Sequence, residues 1–133
     1  MEDKISGENR RRSERRDVAF TLSYSVEKPY TLRISLGLAD DISALMLNLS
    51  DLGMAIITML DLPAGTQLYI RFNLRNLNLL GEKRSRNMVI IGEVVSHLAL
   101  ANGNYRIGIR FDKISDEDKL AISDFVKDNK FTT

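Results

Sequence analysis

Alternation of apolar with small or polar residues runs through VAFTLSYSV, residues 18–26. A period of two is typical of a half-buried β-strand, in which successive side chains point to opposite faces. Even positions are therefore expected to face the core, and odd positions to face outward. The same parity, carried back along the chain, places Arg11 and Arg15 on the outer face. Arg12 and Arg16 share the parity of the core.

Further strands follow with the same alternation, and turn residues separate them. They are predicted at residues 44–49, 54–59, 68–74, 88–96 and 105–111. In the first of these, the leucines at 45, 47 and 49 are expected to face the core, with Met46, Asn48 and Ser50 on the other face. The sequence Asn102-Gly103-Asn104 is a hairpin signal before the last strand. The polar residues 75–86 predict a loop.

A single helix is predicted at the end of the chain. Ser115 is a candidate cap, because three acidic residues follow it in the first turn. The apolar positions expected to face the core are Leu120, Ala121, Phe125 and Val126. About six strands and one helix predict an all-β fold, a six-stranded antiparallel β-barrel whose open end the C-terminal α-helix covers.

The composition excludes several classes of protein. The chain has 133 residues, enough for one domain, and a net charge of +1, too small for a generally basic nucleic-acid binder. There is no cysteine and one histidine, His97, so neither a thiolate metal site nor a zinc centre is expected. With no apolar run long enough to span a bilayer and no signal peptide, we expect a cytoplasmic protein.

Five arginines surround one glutamate in RRRSERR, residues 10–16. Each guanidinium presents a planar fork of donors that fits a phosphate or the O6/N7 edge of guanine. A solvated basic tail is the alternative interpretation. Residues 1–9 are expected to form a flexible tail that leads into this arm.

A second polar motif, NLSDLG at residues 48–53, follows a predicted strand. Asn48 and Ser50 are two residues apart, so both would project from one face and could bond the edge of a purine base. Gly53 would allow a positive φ or the close approach of a ligand. The alternative is a polar turn that closes a strand.

Taken together, these two motifs resemble the PilZ domain family, receptors for the bacterial second messenger cyclic dimeric GMP (cyclic di-GMP). The family pairs an RxxxR motif with a (D/N)xSxxG motif, and here Arg11 and Arg15 supply the first and residues 48–53 the second. Arg12 with Arg16 is the other possible RxxxR pair. The resemblance covers residues 10–130, and LPAGT at 62–66, GEVV at 92–95 and YRIGIRF at 105–111 also look like the family's pattern.

The resemblance implies a PilZ-type barrel with a flexible N-terminal arm, residues 10–16, and a ligand held between arm and barrel. By that analogy Arg11 and Arg15 would grip guanine edges and phosphates, and Arg10 or Arg12 would add a contact from the arm. Asn48 and Ser50 would bond the guanine, while Gly53 would let the base approach.

The function that the resemblance implies is a non-enzymatic receptor that changes shape on binding cyclic di-GMP, without any other cofactor or a metal. The signal would pass to an unknown partner protein in motility, biofilm, secretion or polysaccharide pathways. Residues 27–41, longer than usual for the family, could form a partner surface or a loop. An alternative is a protein-interaction module that binds no nucleotide. A barrel for single-stranded nucleic acid ranks last, because aromatics make up only 7% of the residues and mostly share the core parity.

Overall fold

Strands dominate the computed structural model, which describes residues 14–35, 41–77 and 83–128. In chain order the elements are β1 (Arg16–Lys28), α1 (Tyr30–Ser35), β2 (Ile42–Leu49), β3 (Gly53–Thr58), β4 (Gln67–Leu77), β5 (Lys83–Ala99), β6 (Tyr105–Lys113) and α2 (Asp116–Asp128). The strands are antiparallel and close into a barrel in the order β1-β2-β3-β6-β5-β4. The predicted six-stranded barrel with a C-terminal helix is confirmed.

The interior of the barrel is filled by the side chains that the alternation in β1 predicted. Leu22, Tyr24 and Val26 are buried, Val18 and Phe20 are partly buried, and Ala19 and Thr21 are exposed. Ser25, at an outward position of the same pattern, is also buried, at 8% exposed. Apolar side chains from all the strands join them, among them Met46, Leu49, Met54, Ile56, Leu68, Ile70, Met88, Ile90, Ile107 and Ile109. Closure of the sheet on itself removes free edges and makes one continuous core.

Strand β2 does not follow the predicted parity. Met46 is fully buried and Leu45 is 37% exposed, the reverse of the expectation. Against β3, Met46 is paired with Ile56 and Asn48 with Ala55, so β2 has one extra residue, Leu47. Such a β-bulge reverses the alternation. It returns Leu49 to the core and leaves Asn48 on the outer face.

The loop predicted at residues 75–86 is shorter than expected, because β4 and β5 extend into it. Arg75 is paired with Ser85, and the backbone pairs continue to Leu77 with Lys83. The two strands of this ribbon pair each other's backbone N–H and C=O groups. Because this pairing does not depend on apolar side chains, a polar sequence can also form a strand here.

Helix α2 packs on the barrel through a stripe that the sequence predicted only in part. Ile122, Phe125 and Val126 are buried, whereas Leu120 is 62% exposed, so its assignment to the apolar stripe was wrong. The Ser115 hydroxyl accepts a hydrogen bond from the Asp118 backbone N–H at 3.1 Å, which confirms the predicted cap.

The turn predicted before the last strand is confirmed. Gly103 has a φ of 84° in the turn between β5 and β6, as expected for a hairpin glycine. After β1 the chain forms the short helix α1, within the segment 27–41.

Candidate functional site

A groove of about 390 Å³ opens on the outer face of β2, β3, β5 and β6. Four of the predicted ligand-binding residues, Arg15, Asn48, Ser50 and Gly53, line it together. The other three, Arg10, Arg11 and Arg12, lie outside the described residues. The structure thus brings Arg15, near the end of the arm, and the NxSxxG motif to one surface.

The floor of the groove is a row of small side chains across the four strands. Asn48 is paired with Ala55, Ala55 with Gly108, and Gly108 with Ser96. Ala55 lies between the core residues Met54 and Ile56, so it points outward, yet it is 5% exposed because the walls of the groove cover it. Small residues at consecutive outward positions leave room for a flat ligand against the sheet.

Two β-bulges shape the sides of this floor. One is at Leu47 in β2, and the other is at Val95 in β5, between the pairs Val94–Ile109 and Ser96–Gly108. Both Val95 and Ser96 are exposed at the groove as a result. Bulges often occur next to binding sites, because they redirect side chains that strict alternation would place elsewhere.

Ser50 is less available than its motif position suggested. The residue is buried, and its hydroxyl accepts hydrogen bonds from the backbone N–H groups of Leu52 and Gly53, both at 3.2 Å. It also lies 3.3 Å from the Gly53 carbonyl oxygen, to which it donates. The hydroxyl therefore holds the β2–β3 turn, which is the turn alternative that the sequence left open. Its expected projection on the outer face is corrected accordingly.

Gly53 is required by the packing of the sheet and not by a left-handed backbone. It begins β3 opposite Arg110, and a Cβ atom there would lie 2.2 Å from the carbonyl oxygen of Ile109. It is not among the described glycines with positive φ, Gly65 and Gly103. The glycine also lines the groove, so one small residue serves both the strand contact and the opening.

The arm's last two arginines point to different surroundings. Arg16 places its guanidinium 4.0 Å from the centre of the Phe125 ring and donates to the Phe125 carbonyl oxygen at 3.0 Å. Arg15 is exposed and lines the groove. The parity argument assigned Arg15 outward and Arg16 toward the core, and both positions agree with it.

Two further arginines on β6, Arg106 and Arg110, line the groove and were not among the predicted site residues. They flank Gly108 on the outer face of the strand. Arg110 donates to Glu93 at 2.8 Å and lies 3.6 Å from Asp112. The alternation of YRIGIRF could have located both, since its apolar residues face inward and the arginines must then face outward.

The other titratable candidates are explained by local structure. His97 lies 2.9 Å from Asp61 on the surface, and Arg86 lies 2.7 Å from Asp118 at the start of α2. In the part of the chain that the structure describes, no three potential metal ligands are grouped. Burial raises the pKa of Tyr24, and its hydrogen bond to Thr58 partly opposes that shift. None of the described helices is long and apolar enough to cross a membrane.

Comparison with known proteins supports the architecture. The family model described as "PilZ domain" matches residues 9–128. An inhibitor of motility from Bacillus subtilis (MotI/DgrA) has a TM-score of 0.70 and 16% identity, over 92% of this chain and 52% of that protein. The present chain thus spans about half the length of that protein.

Two separate domains are also similar. The PilZ domain of YcgR from Escherichia coli, solved with c-di-GMP, has a TM-score of 0.59 and 14% identity over 92% of this chain and 93% of the other. The PilZ domain of CeSA from a cellulose-synthesizing bacterium gives 0.51 and 15%, over 89% and 99% of the two chains. At these identities the likeness shows the fold alone. No curated protein matches the sequence.

Proposed function

Since this chain belongs to the PilZ domain family, we propose that it is a receptor for cyclic di-GMP, which binds in the groove between the arm and the barrel. The ligand carries two guanines and two negatively charged phosphates. It is therefore complementary to a surface that offers guanidinium groups and room for flat rings.

The observation that carries this proposal is the meeting of two separate motifs in one groove. Arg15 comes from the arm, and Asn48, Ser50 and Gly53 come from the β2–β3 corner, yet all four line the same opening. Arg15 has no acidic partner among the described residues, so its donors are available to an anion. Asn48 lies on the outer face because of the β2 bulge, where its amide can meet a base edge.

The expected strength of binding agrees with the number of such contacts. Hydrogen bonds to charged groups contribute about 1.5–3 kcal/mol each. A few of them, less the cost of ordering an arm, reach the roughly 8 kcal/mol of micromolar binding. In this proposal Arg10, Arg11 and Arg12 supply further contacts from the arm.

The proposed role is regulatory and involves no catalysis. Nucleotide binding changes the conformation at the arm and so the surface next to the groove, and a partner protein in the cytoplasm responds to that change. The family resemblance points to motility, biofilm formation, secretion or polysaccharide export as the pathway. The similarity to an inhibitor of motility and to a domain of CeSA is in keeping with that range.

Isothermal titration of cyclic di-GMP into the wild-type chain and the variants Arg15→Ala and Arg16→Ala tests the proposal. We expect micromolar or tighter binding by the wild type and at least about a tenfold loss in Arg15→Ala, since a tenfold change corresponds to about 1.4 kcal/mol. Arg16→Ala is the matched control. It removes the same charge one residue later, but from a side chain that packs on Phe125.

Thermal unfolding of the same variants completes the design. Arg16→Ala should lower the melting temperature and largely retain binding. Arg15→Ala should weaken binding and leave the melting temperature nearly unchanged. GMP and cyclic AMP serve as ligand controls. A folded wild-type protein that gives no heat with cyclic di-GMP would refute the receptor and favour the interaction module. Equal loss of binding in both variants would instead refute the assignment of Arg15 to the ligand.

A further inference from the structure

Arg106 lines the groove, and none of the contacts among the described residues gives its guanidinium another role. It lies on β6 between Ile57 of β3 and Leu98 of β5, and its side chain is exposed. Both neighbours are apolar and can neither accept its hydrogen bonds nor balance its charge. No described residue forms an ion pair or a hydrogen bond with it.

Arg110 provides an internal comparison on the same strand. It projects from the same face, also lines the groove, and lies on the other side of Gly108. Its guanidinium, however, already meets the carboxylates of Glu93 and Asp112 at 2.8 and 3.6 Å. Of the two arginines on β6, Arg106 is therefore the one whose charge is left for a ligand.

Arg106 and Arg15 reach the groove from different strands. Arg15 directly precedes β1, and Arg106 lies on β6, which is separated from β1 by β2 and β3. Three strand spacings correspond to about 14 Å across the sheet. The two cations therefore approach the groove from separate strands, and a dinucleotide with two phosphates can contact both.

We propose that Arg106 is a second cationic contact of the groove, and that it holds a phosphate of the bound nucleotide across the small-residue floor from Arg15. The inference rests on the proposed function and extends it to a residue outside the two motifs. Both arginine and lysine bind phosphate, but lysine does so as a point charge without the planar fork. Arg106→Lys should therefore retain part of the binding that Arg106→Ala loses.

Isothermal titration of cyclic di-GMP into four proteins tests this assignment: the wild type, Arg106→Ala, Arg106→Lys and the control Arg75→Ala. We expect Arg106→Ala to weaken binding about tenfold, equivalent to about 1.4 kcal/mol. Arg106→Lys keeps the charge and should bind more tightly than Arg106→Ala. Arg75→Ala removes an exposed arginine of β4 that does not line the groove, so its affinity should stay within about threefold of the wild type. Thermal unfolding of all four should be similar, because both side chains are exposed.

The outcomes separate this inference from the receptor proposal. If the wild type binds and Arg15→Ala does not, while Arg106→Ala binds like the wild type, only the assignment of Arg106 is overturned. Equal losses in Arg106→Ala and Arg106→Lys would show that charge at this position does not hold the ligand and would overturn the phosphate contact. Equal losses in Arg106→Ala and Arg75→Ala would show a general charge effect and also overturn it. Failure of the folded wild type to bind would overturn both proposals.

Discussion

Strands β3 and β6 present two contrasting surfaces, one inside the barrel and one at the groove. Inward, Ile56 and Ile107 are fully buried among large apolar side chains. Outward, Ala55 and Gly108 occupy adjacent positions with almost no side-chain volume. The same two strands therefore combine a filled interior with an open exterior. The difference shows that the groove comes from small residues on a rigid sheet and needs no gap in the core.

The charged groups differ between the same two regions. At the border of the interior, Arg16 meets Phe125 and Arg86 meets Asp118. At the groove, Arg15 and Arg106 have no acidic partner among the described residues. Paired cations contribute to the fold, and unpaired cations are available to an anion. Stability and binding should consequently respond to different substitutions.

The largest expected effect is in the interior, at Phe125. The ring is 2% exposed and its centre lies 5.7 Å from that of Phe20. Phe125→Ala should lower the free energy of unfolding by about 3–5 kcal/mol, the usual cost of removing a buried aromatic ring. Urea unfolding measures this, and the exposed Leu120→Ala on the same helix is the control. A loss below about 1 kcal/mol would mean that α2 is not part of the core.

Affinity for the ligand should be most sensitive to substitutions in the floor of the groove. Gly108→Val fills the space above Ala55, so we expect at least a tenfold loss of affinity for cyclic di-GMP, about 1.4 kcal/mol or more. The free energy of unfolding should change little, because the one close contact of the new Cβ is with the Ser96 hydroxyl oxygen, at 2.4 Å, and that side chain can rotate away, while the Ser96 Cβ and a Val95 methyl lie at ordinary contact distances of 3.6 and 3.9 Å. Titration measures the affinity, with Thr21→Val as an outward control beyond the groove. Unchanged affinity in the glycine variant would place the ligand elsewhere.

A smaller effect is expected from the buried hydroxyl of Tyr24. It lies 2.7 Å from the Thr58 hydroxyl, and Tyr24→Phe would leave that partner unpaired at a cost of about 1–2 kcal/mol. Urea unfolding at neutral pH should detect this loss. Tyr30→Phe, at an exposed residue, is the control and should leave stability nearly unchanged. An unchanged midpoint in the Tyr24 variant would contradict the buried bond.

The same tyrosine predicts a dependence on alkaline pH. Burial raises the pKa of Tyr24 above its ordinary value of 10.0. The contribution of protonated Tyr24 to the free energy of unfolding is therefore complete below that value. It is lost as the pH rises through the raised pKa, because the unfolded chain releases the proton first. Wild-type stability should fall more steeply than that of Tyr24→Phe above about pH 10. Urea unfolding at pH 8 and above pH 10 measures the free energy of unfolding of both proteins. An equal fall of that free energy with pH in the wild type and in Tyr24→Phe would contradict this.

The smallest expected effect is at the border between barrel and helix. Asp118→Asn weakens the pair with Arg86, which is half exposed, so the free energy of unfolding should fall by only about 0.5–1 kcal/mol. Added salt should reduce the difference from the wild type. Asp116→Asn is the control: it removes a carboxylate from the same first turn without changing the ion pair, so it measures the contribution of the helix dipole alone. Any change in nucleotide affinity would show that the two regions are coupled.

Local patterns were sufficient where a structure depends on neighbouring residues. The alternation of β1, the turn at Gly103 and the cap at Ser115 were all predicted correctly, because each depends on a few residues in sequence. The parity argument also separated Arg15 from Arg16. It failed in β2, where the bulge at Leu47 depends on how β3 pairs with it. Residues 45–49 read LMLNL, with apolar residues in both phases, so the pattern alone does not show where the alternation shifts.

The sequence by itself determined the class of fold and the candidate motif residues, because strand alternation and short motifs are properties of the chain alone. The tertiary structure decided which of those residues meet. It aligned Asn48, Ala55 and Gly108 in one row and turned the Ser50 hydroxyl into the β2–β3 turn. It also left Arg106 without an acidic partner among the described residues. These outcomes depend on the pairing of strands distant in sequence, and the pattern within any one strand does not contain that information.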